Sequence, residues 1–110
     1  MNWIELNDEK QLEAINAQSA QQPVVIFKHS TRCSISSMAK SRLERETAPE
    51  NTSFYYLDLL RHRDISNKIA ADYAVHHESP QLLLIKNGEC VYEETHNGIS
   101  MHDLAEQLGS

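Results

Sequence analysis

No apolar run in this sequence approaches the roughly 18 residues that a membrane span requires. Positive charge is scarce as well: 10 Lys and Arg stand against 16 Asp and Glu, a net charge of −6. An acidic domain repels phosphate backbones, which argues against nucleic acid as the main partner. The opening stretch, MNWIELNDEK, is acidic and has no apolar signal core, so secretion is not indicated and a cytoplasmic protein is expected. Cysteine is limited to Cys33 and Cys90. Two are too few for a zinc framework, and a structural disulfide is unusual in a reducing compartment, so free thiols are expected. Repeats, low-complexity tracts and linkers are absent. A chain of 110 residues with 40% hydrophobic content suits one domain over residues 1–110 with one modest core.

What remains is an alternation of strand-like and helix-like segments. Trp3–Leu6 reads as a short strand. The helix after it carries Leu12 and Ile15 on one face, with Asn7 or Asp8 as its N-cap. After Pro23, the run Val24–Phe27 is continuous, apolar and mostly β-branched, as in a strand buried on both faces. A second helix is expected from Cys33 or Ser34, with Ile35, Met38, Ala39 and Leu43 inward and Lys40, Arg42, Glu44 and Arg45 in solvent. Thr47–Ser53 reads as a loop and Phe54–Leu60 as a core strand. Ile65, Ile69 and Tyr73 mark a third helix from about Asp64 to Ala74.

The last third carries the clearest signals. Gln81–Ile85 and Cys90–Thr95 flank Lys86-Asn87-Gly88, a strong hairpin signature. Gly98 breaks the pattern. Ser100 with Asp103 resembles a capping box before a helix carrying Met101, Leu104, Ala105 and Leu108. The order βαβαβαββα implies an α/β fold: a central mixed sheet of about five strands, flanked by about four helices.

One segment carries chemistry: FKHSTRCSIS, Phe27–Ser36. It places Cys33 where a central strand runs into a helix. The first turn of a helix offers unpaired N–H groups and the positive end of the dipole, and both favour a thiolate. Arg32 is the adjacent cation, and Lys28 is a second candidate. Polar neighbours on both sides make the thiol reachable. Cys33 opens a C-x-x-S motif, so Ser36 stands where a second cysteine would resolve a mixed disulfide. Ser36 can hydrogen-bond the sulfur but cannot form a disulfide, and exchange would be monothiol. Ser79-Pro80 precedes the Gln81 strand, where proline is tolerated. The sharper expectation there is a cis peptide facing Cys33, with the Ser79 backbone free to pair with an extended substrate.

Together these segments resemble the thioredoxin superfamily over nearly the whole chain, and SPQLLLIKNGECVYEETHNGIS carries most of the likeness. FKHSTRCSIS is similar, more narrowly, to the active-site run of the YtxJ-like monothiol bacilliredoxins. The resemblance implies a thioredoxin-like fold with Cys33 as nucleophile, Ser36 at the resolving position and Pro80 at the cis-proline position. Substrate would meet Arg32, Ser34, Ser79 and Pro80. It implies bacillithiol as co-substrate with no tightly bound cofactor, and bacillithiolated proteins or another low-molecular-weight thiol as partners of a monomer or weak dimer. Two features depart from the pattern. Ser34 replaces the usual proline after the nucleophile, and Val24–Phe27 lacks the buried acid of ordinary thioredoxins. A redox-inactive thioredoxin-fold scaffold and a glutaredoxin-like protein using another small thiol are the alternatives.

The remaining candidates are weaker. Cys90 is expected to pack; a distal resolving thiol and a dimer disulfide are its other possible roles. His29, His62, His76, His77, His96 and His102 show no metal-ligand spacing, and no metal site is expected. His29 follows the strand as a loop residue near Cys33 and is the histidine best placed to tune it. The basic stretch Leu59–Asp64 reads as a solvated loop, or as an attractant for carboxylates.

Overall fold

A computed structural model describes residues 1–109. Five strands form one sheet in the order β1-β3-β2-β4-β5. These are β1 (Trp3–Glu5), β2 (Val24–His29), β3 (Ser53–Asp58), β4 (Gln81–Lys86) and β5 (Glu89–Thr95). Strands β1, β3 and β2 run parallel, while β4 and β5 are antiparallel additions. Four helices cover the sheet: α1 (Lys10–Ser19), α2 (Ser34–Arg45), α3 (Arg63–Asp72) and α4 (Met101–Leu108), the last preceded by a 3₁₀ turn at His96–Gly98. The mixed sheet and the order of elements are those expected.

Because side chains alternate across a strand, β2 divides the core in two. Val24 and Ile26 pack with Leu12 and Ile15 of α1 and with Ile65 and Ile69 of α3. Val25 and Phe27 pack with Ala39 and Leu43 of α2 and with Met101 and Leu104 of α4. The hairpin is as its sequence requires. Asn87 and Gly88 both take positive φ, +52° and +75°, the geometry of a tight turn between twisted strands. At α4, Ser100 Oγ accepts from the Asp103 N–H at 3.1 Å, the half of the capping box that the N-cap side chain supplies.

Several local expectations are corrected. The first helix begins at Lys10 with Glu9 as N-cap, not Asn7 or Asp8. Gln11 Oε1 instead accepts from the N–H groups of both Asn7 and Asp8, and Asp8 Oδ1 from that of Lys10. On α2, Ile35 and Met38 are exposed, at 43% and 61%. The inward face is Ser36, Ala39 and Leu43. Arg42, expected in solvent, reaches back to the carbonyls of Ile99 and His96 and ties α2 to the 3₁₀ turn. The largest correction concerns β2 itself. It continues through Lys28 and His29, and both are buried, at 0% and 4% exposure.

Candidate functional site

The register places three connections at one end of the sheet. Lys28 of β2 pairs with Gln81 of β4. One step further, the chain leaving β2 at His29 lies level with Pro80 entering β4. His29 also pairs with Asp58, the last residue of β3, and its carbonyl accepts from the Leu59 N–H. The turn carrying Cys33, the turn carrying Ser79-Pro80 and the basic Leu59–Asp64 stretch therefore share that end. The Ser79-Pro80 peptide is cis.

Cys33 is the N-cap of α2. Its backbone is extended (φ −107°, ψ 121°), and its carbonyl accepts the first helical bond, from Ser37 N–H at 3.0 Å. A residue there presents its side chain beside the free N–H groups of the first turn. Its N–H closes a turn on the Ser30 carbonyl at 3.2 Å. The thiol is free and partly exposed, and Arg32 and Ser34 on either side are exposed.

Ser36 is fully buried. Its Oγ lies 2.6 Å from His29 Nδ1 and accepts from the Ser30 N–H at 3.0 Å. The hydroxyl thus joins the end of β2 to the start of α2. His29 is no loop residue: its ring stacks on Phe27 and tilts against Tyr56. Burial is the largest influence on it and lowers its pKa, with Lys40 acting in the same direction against Asp58. Burial therefore favours the uncharged ring. No sequence signal separated His29 from a loop histidine, because the strand appeared to end at Phe27.

Lys28 points to the opposite face. Its Nζ donates to the Ser66 carbonyl at 3.2 Å and to His77 Nδ1 at 3.3 Å. Ser66 Oγ lies 3.2 Å from the same Nδ1. Burial lowers the lysine pKa to about 8. The side chain is turned to α3, so it is not the free surface cation that its position before Cys33 suggests. Beside it, Gln81 donates to the His76 carbonyl and to Glu93, both at 3.0 Å.

Cys90 stands apart. It lies opposite Ile85, which pairs with Val24, the first residue of β2. Five residues of strand separate that level from His29, about 16 Å at the usual rise. It also packs against the α1/α3 face rather than the α2 face. A disulfide needs Cα atoms within about 7 Å, so Cys90 does not resolve Cys33 within one chain.

The fold has known counterparts. A family described as monothiol bacilliredoxin BrxC matches residues 4–104. The chain belongs to the monothiol bacilliredoxin family. A solved structure described as a proposed oxidoreductase with a thioredoxin fold is 33% identical, with a TM-score of 0.82. The match covers 94% of this chain and 91% of that one. Thioredoxin f from spinach chloroplast, in its short form, superimposes with a TM-score of 0.71 at 18% identity, covering 97% of this chain and 90% of that one. A Malassezia sympodialis thioredoxin gives 0.71 at 19%, covering 99% and 89%. At that identity the two thioredoxins speak for the fold alone. The bacilliredoxin family assignment and the thioredoxin fold make this a thiol oxidoreductase in general terms, as the sequence resemblance implied. Among the described residues, no helix is long and apolar enough to cross a membrane.

Proposed function

We propose that this bacilliredoxin-family protein removes bacillithiol from S-bacillithiolated cytosolic proteins by monothiol exchange at Cys33. The observation that carries the reading is a partly exposed, free cysteine at the N-cap of α2 with a serine, not a cysteine, in the fourth position of the motif.

In the step proposed, the Cys33 thiolate attacks the bacillithiol sulfur of the client's mixed disulfide. A bond forms between Cys33 and bacillithiol as the client's S–S bond breaks, and the client leaves as a thiolate that takes up a proton. No net oxidant is needed, because one disulfide is exchanged for another. A second small thiol then attacks the mixed disulfide on Cys33 and restores the reduced protein. Ser36 leaves no internal route out of that intermediate, and Cys90 is too far along the sheet to offer one.

Ser79 and Pro80 would border the client segment, and Arg32 and Ser34 would meet the small thiol. Arg61 and Arg63 are exposed at the same end of the sheet and would attract its carboxylates. The protein needs no tightly bound cofactor for this chemistry and acts as a monomer or weak dimer.

The test is intact mass after brief mixing of reduced protein with a bacillithiolated client, beside the Cys33→Ala variant. Bacillithiol mass should appear on the wild type alone as the client loses it. No transfer, with Cys33 still open to alkylation, would return the protein to the scaffold reading or to another small thiol.

A further inference from the structure

Strand β2 carries no carboxylate, so the strand that leads into Cys33 offers the attacking thiol no acid to exchange protons with. What the α2 face of that strand carries instead is His29, hydrogen-bonded to the one side chain of the motif that is fully buried. We infer that His29, acting through the Ser36 hydroxyl, receives the proton that Cys33 gives up. The inference rests on Cys33 being the attacking thiol, as proposed above, but not on which small thiol it removes.

Counting protons leaves two directions for the Ser36–His29 bond, and the relay uses the one in which Ser36 donates. A serine hydroxyl has one hydrogen and two lone pairs. The Ser30 N–H donates to one lone pair. Burial favours the neutral ring of His29, and its Nδ1 lies 2.6 Å from Oγ. The short contact is satisfied when Ser36 donates its hydrogen to an unprotonated Nδ1, which puts the ring hydrogen on Nε2. One lone pair of Ser36 is then left to accept. Cys33 is the N-cap of α2 and Ser36 its third helical residue; the Cys33 side chain makes no hydrogen bond at the helix start, so the relay requires the thiol to turn onto the Ser36 hydroxyl.

The transfer balances within the chain. The Cys33 thiol passes its proton to Ser36 Oγ as the serine passes its own to His29 Nδ1, giving a thiolate and an imidazolium. The thiolate forms the new S–S bond, the old one breaks, and the imidazolium returns the proton through Ser36 to the departing thiolate. In the imidazolium state the Ser36–His29 bond reverses, so the serine hydrogen is free to point at the sulfur. The charged and titratable groups facing His29 are Lys40 and Glu44 on α2 and Asp58 and Tyr56 on β3. The positive charge of Lys40 opposes the imidazolium, while Asp58 and Glu44 favour it. His29 is thus a positioning residue with a proton role, held away from solvent by Phe27 and Tyr56.

The test has two parts, neither of which uses bacillithiol. The first is the tautomer of His29 in the reduced wild type, read from its ring-nitrogen NMR shifts, which does not depend on a variant folding. Neutral His29 with its hydrogen on Nε2 is expected. A hydrogen on Nδ1 at neutral pH would overturn the inference, since His29 would then already be donating to Ser36. The second is the pH profile of Cys33 alkylation by iodoacetamide, followed by site-resolved mass, in wild type, Ser36→Ala, His29→Gln and the double variant. Each single change should slow the reaction at pH 7 about 10-fold or more and remove the His29 inflection. The double variant should lose no more than either alone, as expected of groups acting as a unit. Superimposable profiles for folded wild type and Ser36→Ala would overturn it. Loss of bacillithiol transfer with these profiles intact would instead count against the proposed substrate alone.

Discussion

The two ends of the sheet carry one cysteine each and are built from different materials. At the Cys33 end of the sheet the interior is polar on both faces: His29 and Ser36 are buried on the α2 side, and Lys28, Ser66 and Gln81 are buried at the same end. Around Cys90 it is apolar, and the buried polar residue of that end, Ser19, fastens the hairpin by accepting from Gly88 N–H at 2.8 Å. Burying polar groups costs stability unless every one is paired, and a fold has no need to gather them at one end. Their concentration at one end of the sheet sets that end apart from the Cys90 end. The cysteines differ accordingly. Cys33 sits partly exposed at a helix start. Cys90 donates its S–H to the Tyr92 carbonyl at 3.3 Å, and burial pushes its pKa up. Residue type alone says nothing of this; position in the fold sets the two thiols apart.

The bluntest way to break the contrast is to remove each cysteine in turn. Cys33→Ala should abolish thiol exchange, and Cys90→Ala should retain it to within about twofold, since Cys90 lies about 16 Å of strand away from the site. Steady-state exchange with a mixed-disulfide substrate measures both. Activity persisting in Cys33→Ala would end the mechanism, and loss in a folded Cys90→Ala would make the far end functional.

A second prediction concerns the polar end alone. The buried ammonium of Lys28 has a pKa of about 8 in the fold against 10.5 free. Between those values the unfolded chain holds more protons than the folded one, so this residue's contribution to stability rises with pH across that window. Below about pH 8 both states are charged and the full cost of burial is present. Relative to Lys28→Met, the wild type should therefore gain stability from pH 7.5 to 10, by no more than about 3 kcal/mol. Urea unfolding of the pair across that range measures it. A constant difference would mean that the charge is not buried.

The polar end is also where the sequence was least legible. The order of elements along the chain, the hairpin and the final cap could be read because each depends on neighbours in the chain: Asn87-Gly88 for the turn, Ser100 with Asp103 for the cap. Cys33 at a helix start was legible for the same reason. Lys28 and His29 were not. A lysine and a histidine after four apolar residues look like the end of a strand, and only the pairing with Gln81 and Asp58 shows that it continues. The partner of Ser36 was hidden likewise. Its spacing from Cys33 pointed to the sulfur, but nothing in the sequence showed that its hydroxyl is also bound by His29 and Ser30 from the preceding strand and turn. Ile35 and Met38 misled in the opposite sense. Their apolar character suggested the core, but α2 turns Ser36 inward at its first turn, which puts both in solvent.

Ser36→Cys would sharpen the contrast by giving the reactive end the second thiol it lacks. A disulfide with Cys33 is expected on mild oxidation, read as the loss of two hydrogens in the intact mass. Its absence would mean that the two side chains do not face each other across the helix start. The larger sulfur also gives up the short bond to His29, so the reduced variant should lose about 1 kcal/mol.

The smallest effect expected is on stability at the two cysteines, and there the order of importance reverses. Cys33 is partly exposed and caps nothing with its side chain, so Cys33→Ala should change stability by less than about 0.5 kcal/mol. Cys90 packs against Ile85 and its neighbours and satisfies the Tyr92 carbonyl, so Cys90→Ala should cost about 1 kcal/mol at pH 7. That cost should shrink as pH rises through 9. With a raised pKa in the fold, Cys90 keeps its proton while the unfolded chain releases it, and the wild type loses stability there. Alanine has no proton to lose. Paired unfolding curves at pH 7 and pH 9.5 would show the gap closing; a gap that widens would place the Cys90 thiol in solvent, not in the core.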